Sequence, residues 1–172
     1  MSVAGSSSGI GTAASLWAAN VGTETSGSIL NPASQTMLVG IKPTVGRISR
    51  YGVIPITADQ DTPGPMARTV ADAATLLGVL EGAPDEHDPA TRTCNAPPAH
   101  DYSRFLDRNA LRGARIGIPR AGIVDAIAVP GSSTRSGGLS AAQRMVREDA
   151  IAALRAQGAV VVDPADLPSL TA

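Results

Sequence analysis

GTETSGSILNPAS, residues 22–34, is the stretch on which the reading of this chain turns. It is a turn rich in glycine and hydroxyl residues, with Thr25, Ser26, Gly27 and Ser28 at its centre. A turn of this composition leaves backbone N–H groups uncovered by bulky side chains. Such donors can stabilise an oxyanion, each good one being worth roughly 3 kcal/mol of barrier. Standing alone, the same letters describe an ordinary loop.

A second loop precedes it. VAGSSSGIGTAA, residues 3–14, admits three readings. Its glycines fit the phosphate-binding turn of short-chain dehydrogenases, but a dinucleotide site needs a charged residue about 20 positions on to hold the ribose, and residues 25–40 carry no charge. That family also pairs a tyrosine with a lysine four residues later, whereas Tyr51 is followed there by Pro55 and Tyr102 by Leu106. Nucleotide binding is therefore a remote alternative. The second reading, a Gly-x-Ser-x-Gly elbow, makes Ser7 a nucleophile that requires a histidine base. His87 and His100 both lie in an acidic, proline-rich stretch and read as solvated loop residues. With Cys94 they match no common metal-site spacing. The third reading has the serines of this loop relay a proton for a serine downstream.

Composition narrows the field. At 172 residues the chain can build one ordinary domain with a core. Only Trp17, Tyr51, Tyr102 and Phe105 are aromatic, so aliphatic residues and alanine must fill that core. A net charge of -1, without a basic stripe, argues against nucleic acid and against an anionic membrane surface as partners. No apolar run approaches the roughly 20 residues of a membrane span, and no signal segment follows Met1. A single cysteine, Cys94, agrees with a reducing compartment. The expected location is cytoplasmic. Among 14 basic residues, Lys42 is the only lysine.

The pattern along the chain is α/β. Thr12–Ala19 reads as a short buried apolar segment, a turn or two of helix running into a strand near Val21, and Met37–Ile41 as a buried strand. Residues 42–56 are punctuated by Pro43, Gly46, Gly52 and Pro55 and read as loops and short strands. A helix is expected next, with Thr69 as N-cap, Asp72 three residues on, Val70, Ala73, Ala74, Leu77 and Leu80 on one face, and Gly82 beyond its end. Residues 83–104 have the composition of an exposed connection. Beyond them, Ala114–Pro119 reads as a strand, residues 140–157 as a helix with Ala142, Val146, Ala150, Ala153 and Leu154 inward, and Ala159–Val162 as a strand. Strand, helix and strand in that order suggest a parallel pair. Three segments result: 1–82 with the serine loops, the connection 83–104, and 105–172.

Taken together, GSSSG, GTETSGSI, NPAS, VGIKPTVGRISRYGVIPI and DTPGPMARTVADAATLLG resemble the amidase signature family in motif, order and approximate spacing from Gly5 to Gly78. DYSRFLDRNALRGARIGIPR is similar to the corresponding downstream stretch of bacterial members. The resemblance implies a mixed sheet flanked by helices, of which this chain forms part, and hydrolysis of a carboxylic amide through a serine acyl-enzyme. By the motif Gly-Thr-Asp/Glu-Thr-Gly-Gly-Ser-Ile, the nucleophile maps to Ser28. The oxyanion hole maps to the backbone at Thr25, Ser26, Gly27 and Ser28. The family's relay serine, held by a cis peptide, maps to Ser6, with Ser7 as a supporting hydrogen-bond partner. No metal or organic cofactor is implied.

Two departures accompany the match. The family's general base is a buried lysine upstream of the serine loop, whereas Lys42 matches a non-catalytic position. Ser6 and Ser28 also stand about two residues closer than is usual, which would turn a helical segment by roughly 200°. The chain is accordingly expected to be a central fragment, weak or inactive by itself on a small-molecule amide. A partner chain or a second copy is expected to cover its open strand edges. The alternatives are part of the amidase subunit of a tRNA-dependent amidotransferase and a noncatalytic remnant.

Overall fold

The computed structural model describes residues 7–128, 131 and 133–171. It divides into two compact units, Met1–Leu106 and Asp107–Ala172.

The first unit is built on an antiparallel sheet of β1 (Ala19–Glu24), β2 (Val39–Gly40) and β3 (Thr62–Ala67), in the order β1-β3-β2. The central strand contains Pro63 and Pro65, which is why its sequence does not read as a strand. Alternation resolves the conflict. The N–H and C=O of one residue point to the same side, and the Pro65 carbonyl accepts from Ile41 N–H at 3.0 Å, toward β2. The donors that Pro63 and Pro65 lack therefore face β2, which pairs only with Met66 and Ala67. The donors of Thr62, Gly64 and Met66 face β1, which pairs along all of β3.

Around the sheet lie α1 (Gly9–Ala13), α2 (Leu30–Gln35) and α3 (Val70–Leu80). Ile29, Ala33 and Met66 form a buried core cluster, with Leu38 packed against it. Helix α3 agrees with the sequence reading: the Thr69 hydroxyl accepts from Asp72 N–H, and Ala73, Ala74 and Leu77 are buried. Val70 is exposed, however, because it opens the first turn at the helix edge.

Two local expectations are corrected. The segment Thr12–Ala19 is not a buried apolar stretch. Helix α1 begins earlier, inside the serine loop, and Leu16 and Trp17 are 73% and 47% exposed. Gly9 and Gly11 instead give close packing: a Cβ at Gly9 would come within 2.6 Å of the Met66 Cε. The strand expected over Met37–Ile41 is only Val39–Gly40, since Met37 has φ 58° and points into solvent.

Residues 83–104, read as an exposed connection, fall within the first unit, and their acids bind back onto residues 47–50. Arg50 bonds Asp88, Ser49 Oγ donates to Asp85 at 2.6 Å, and Asp88 and Thr91 are buried. Three short 3-10 turns, Pro89–Thr93, Pro98–His100 and Ser103–Phe105, complete this unit.

In the second unit β4 (Arg115–Gly117) pairs in parallel with β7 (Val160–Val162), and β5 (Ile127–Ala128) forms a short antiparallel pair with β6 (Arg135–Ser136). Helix α4 (Ala141–Ala156) is opened by a reciprocal cap between Ser140 and Gln143, and Pro168–Thr171 forms a final short helix, α5. The inward face of α4 differs from the expected one. Ile151 is buried, and Arg144, Arg147 and Leu154 are half-buried, while Val146 is 69% exposed. The arginines set this rotation: Arg144 Nη2 donates to the Val124 carbonyl at 2.6 Å and Arg147 Nη2 to that of Pro119 at 3.3 Å. Among the described residues no helix is long and apolar enough to cross a membrane.

Candidate active site

The turn that carries Ser28 links the end of β1 to the start of α2. Ile29, immediately after Ser28, is completely buried, and that side chain alone stabilises the turn by about 1.5–3 kcal/mol. Gly27 has φ 84°, a backbone conformation that side chains with a Cβ rarely adopt. The turn is thus fixed on both sides of the Ser28 backbone.

Glu24 holds it from beneath. Its carboxylate, only 3% exposed, accepts from Gly27 N–H at 2.6 Å, Ile29 N–H at 2.7 Å and Leu30 N–H at 2.9 Å. Two of these donors belong to the first turn of α2, where an anion is favoured. Burial raises the Glu24 pKa, but the bonds from Leu30, Ile29 and Gly27, helped by the Lys42 charge, hold it below the ordinary carboxylate range. Glu24 is a residue whose role the sequence reading missed. Its signal was local: an acid shortly before a helix start whose own cap position, Ile29, has no side-chain acceptor.

The Gly27 N–H is therefore already engaged. Among the described residues, the N–H groups of Thr25, Ser26 and Ser28 have no hydrogen-bond partner, and neither does the Ser28 hydroxyl. Ser28 is half-buried and lines a cleft of about 290 Å³ together with Thr23, Glu24, Thr25, Ile54, Ile56 and Asp61. Asp61, 5% exposed, forms one wall. It accepts hydrogen bonds from the Thr25 hydroxyl, from Ile56 N–H at 2.6 Å and from Thr57 N–H at 3.1 Å. The Thr25 bond, helped by those from Ile56 and Thr57, holds its carboxyl below the usual range against the effect of burial.

Ser6, the expected relay, and its preceding peptide lie outside the described residues. Ser7 is exposed, and its carbonyl accepts from Ile10 N–H at 3.0 Å as α1 begins. Its neighbour Ser8 accepts from Asn20 Nδ2 at 2.8 Å, and Asn20 Oδ1 accepts from the Thr12 hydroxyl at 2.7 Å, which ties the serine loop to β1. Lys42 is half-buried. His87 stacks on Tyr51 with ring centroids 4.3 Å apart, and His100 Nδ1 lies 3.2 Å from Glu81. Glu81 also receives Arg47 at 2.8 Å and the Tyr102 hydroxyl at 2.7 Å. Burial and this carboxylate push the Tyr102 phenol up to about 12. Arg47, Glu81, His87 and His100 line a separate open groove of about 970 Å³ that does not include Ser28.

The chain matches the Amidase family over residues 1–172. A putative amidase of Arthroderma benhamiae is 44% identical over 169 residues, covering 96% of this chain and 26% of its own length. A glutamyl-tRNA(Gln) amidotransferase subunit of Anaeromyxobacter dehalogenans is 41% identical over 163 residues, covering 92% of this chain and 30% of its own. The solved structure of native peptide amidase from Stenotrophomonas maltophilia matches with a TM-score of 0.80 at 42% identity, covering 98% of this chain and 32% of the enzyme. The chain thus spans 26% to 32% of the length of these relatives. The short-chain dehydrogenase reading is displaced by these matches, and the chain belongs to the amidase signature family.

Proposed function

We propose that this chain carries the serine portion of an amidase site, with Ser28 as the nucleophile toward a small-molecule carboxylic amide. The observation that carries this reading is the Ser28 hydroxyl, half-buried in a cleft beside N–H groups of its own turn and without a hydrogen-bond partner among the described residues. In the proposed reaction the Ser28 oxygen bonds to the carbonyl carbon as its proton leaves through Ser6. The N–H groups of Thr25, Ser26 and Ser28 receive the developing oxyanion, and Gly27 contributes the turn geometry. Collapse of the tetrahedral intermediate breaks the C–N bond, the amine departs with a proton, and water then releases the acid from the acyl-enzyme.

By resemblance, the base that accepts the relayed proton is a lysine, and no lysine among the 172 residues matches that position. The amidotransferase relatives favour a second reading, in which the same serine chemistry works alongside partner subunits.

A fluorophosphonate probe tests the nucleophile without requiring turnover. Incubation with the chain, then intact mass and peptide mapping, is expected to place one adduct on Ser28 and none on the Ser28→Ala variant. Modification of a different serine, or of none, overturns the assignment.

A further inference from the structure

We propose that Asp61, acting through the Thr25 hydroxyl, is a positioning residue that sets the oxyanion-binding edge of the Ser28 cleft. The inference rests on the reading of Ser28 as nucleophile.

Three observations point to it. Asp61 and Thr25 are 36 residues apart, yet Thr25 Oγ1 donates to Asp61 Oδ1 inside the cleft. The second oxygen of the same carboxylate takes Ile56 N–H at 2.6 Å and Thr57 N–H at 3.1 Å. One buried side chain therefore joins the turn that presents Ser28 to the loop that forms the opposite wall. Ile54 and Ile56, on that wall, are 92% and 80% exposed, so apolar packing among the described residues does little to hold the loop. The Asp61 carboxylate carries that task at Ile56 and Thr57, while Arg50 Nη1 donates to the Ala58 carbonyl farther along the loop.

Glu24 cannot substitute for it. Its bonds go to Gly27, Ile29 and Leu30, which fix the part of the turn after Ser26. The N–H of Thr25 lies before that part, and the side-chain contact that orients Thr25 is the one to Asp61. A displacement of about 1 Å in such a donor costs up to roughly 100-fold in rate.

The test compares Thr25→Val, which keeps the branched shape and loses the donor, with Thr25→Ser, which keeps the hydroxyl. Fluorophosphonate labelling of the full chain is measured as a function of probe concentration. Thr25→Val should lower the saturating rate constant roughly 10- to 100-fold while half-saturation stays within about twofold, and Thr25→Ser should restore most of the rate. A purely structural bond would not give this split and rescue. Amide hydrogen exchange gives an independent arm: in Thr25→Val, Ile56 and Thr57 should exchange faster and α3 should not. Labelling of Thr25→Val at the wild-type rate, or unchanged exchange at Ile56 and Thr57, overturns the positioning role. Absence of labelling in the wild-type chain, with the expected exchange changes still seen in Thr25→Val, overturns the Ser28 reading instead.

Discussion

Arg50 grips Asp88 with two parallel bonds, Nε to Oδ2 at 2.8 Å and Nη2 to Oδ1 at 2.6 Å, and its backbone N–H adds a third at 2.9 Å. The carboxylate is 4% exposed, and the Arg50 bonds lower its pKa to about 2 against the cost of burial. Because the folded-state value is depressed, the stabilisation is complete above the unfolded pKa and is lost as pH falls through about 2.

Asp88→Asn should therefore lower stability by about 2 kcal/mol at neutral pH. Near pH 2 the difference from wild type should shrink to under about 0.5 kcal/mol. Urea denaturation at both pH values measures it, and a difference independent of pH would assign the effect to shape rather than charge.

Glu24→Gln gives a second test. The carboxylate receives three N–H groups, whereas a carboxamide presents its own NH₂ to donors that need an acceptor. A loss of about 2–4 kcal/mol is expected, with Ser28 labelling slowed roughly 100-fold. Glu24→Asp keeps the charge on a shorter stem and should lose less on both measures. Chemical denaturation and labelling kinetics on the same preparations separate the two effects.

These residues also show what a sequence can reveal. Helix α3 was legible because its start and stop are local: Thr69 caps Asp72 N–H, and Glu81 and Gly82 come just after its last turn. The start of α4 falls where the helix over 140–157 was expected, and it too is local, set by the reciprocal cap between Ser140 and Gln143. Helix α2 was not legible, since its first donors are satisfied by Glu24 from the preceding strand. Strand β3 was hidden by two prolines whose harmlessness depends on where β2 stops. The motif around Ser28 could be read directly, but the link between Thr25 and Asp61 could not, because only folding brings together residues 36 positions apart.

Gly78 allows a prediction whose sign depends on tertiary structure. Within an isolated helix, replacing glycine by alanine gains about 1 kcal/mol. Here a Cβ would lie 2.1 Å from the His100 carbonyl oxygen and 3.2 Å from its carbon. The obstruction is backbone and cannot rotate away. Gly78→Ala should therefore destabilise the first unit by about 1–3 kcal/mol, measured by urea denaturation, and a stabilised variant would show that the 98–100 turn yields easily.

The two faces of α4 supply the last test. Periodicity alone favours a face through Ala142, Val146, Ala150 and Ala153, but two arginines that reach carbonyls on neighbouring loops turn the helix so that Ile151 points inward at 2% exposure. Ile151→Ala should then cost about 2–4 kcal/mol by opening a cavity. Val146→Lys, at a position 69% exposed, should stay within about 0.5 kcal/mol of wild type. Thermal or urea unfolding of the two variants side by side decides between the faces: a large loss for Val146→Lys with a small one for Ile151→Ala would mean that the hydrophobic period, and not the arginine contacts, sets the rotation of the helix.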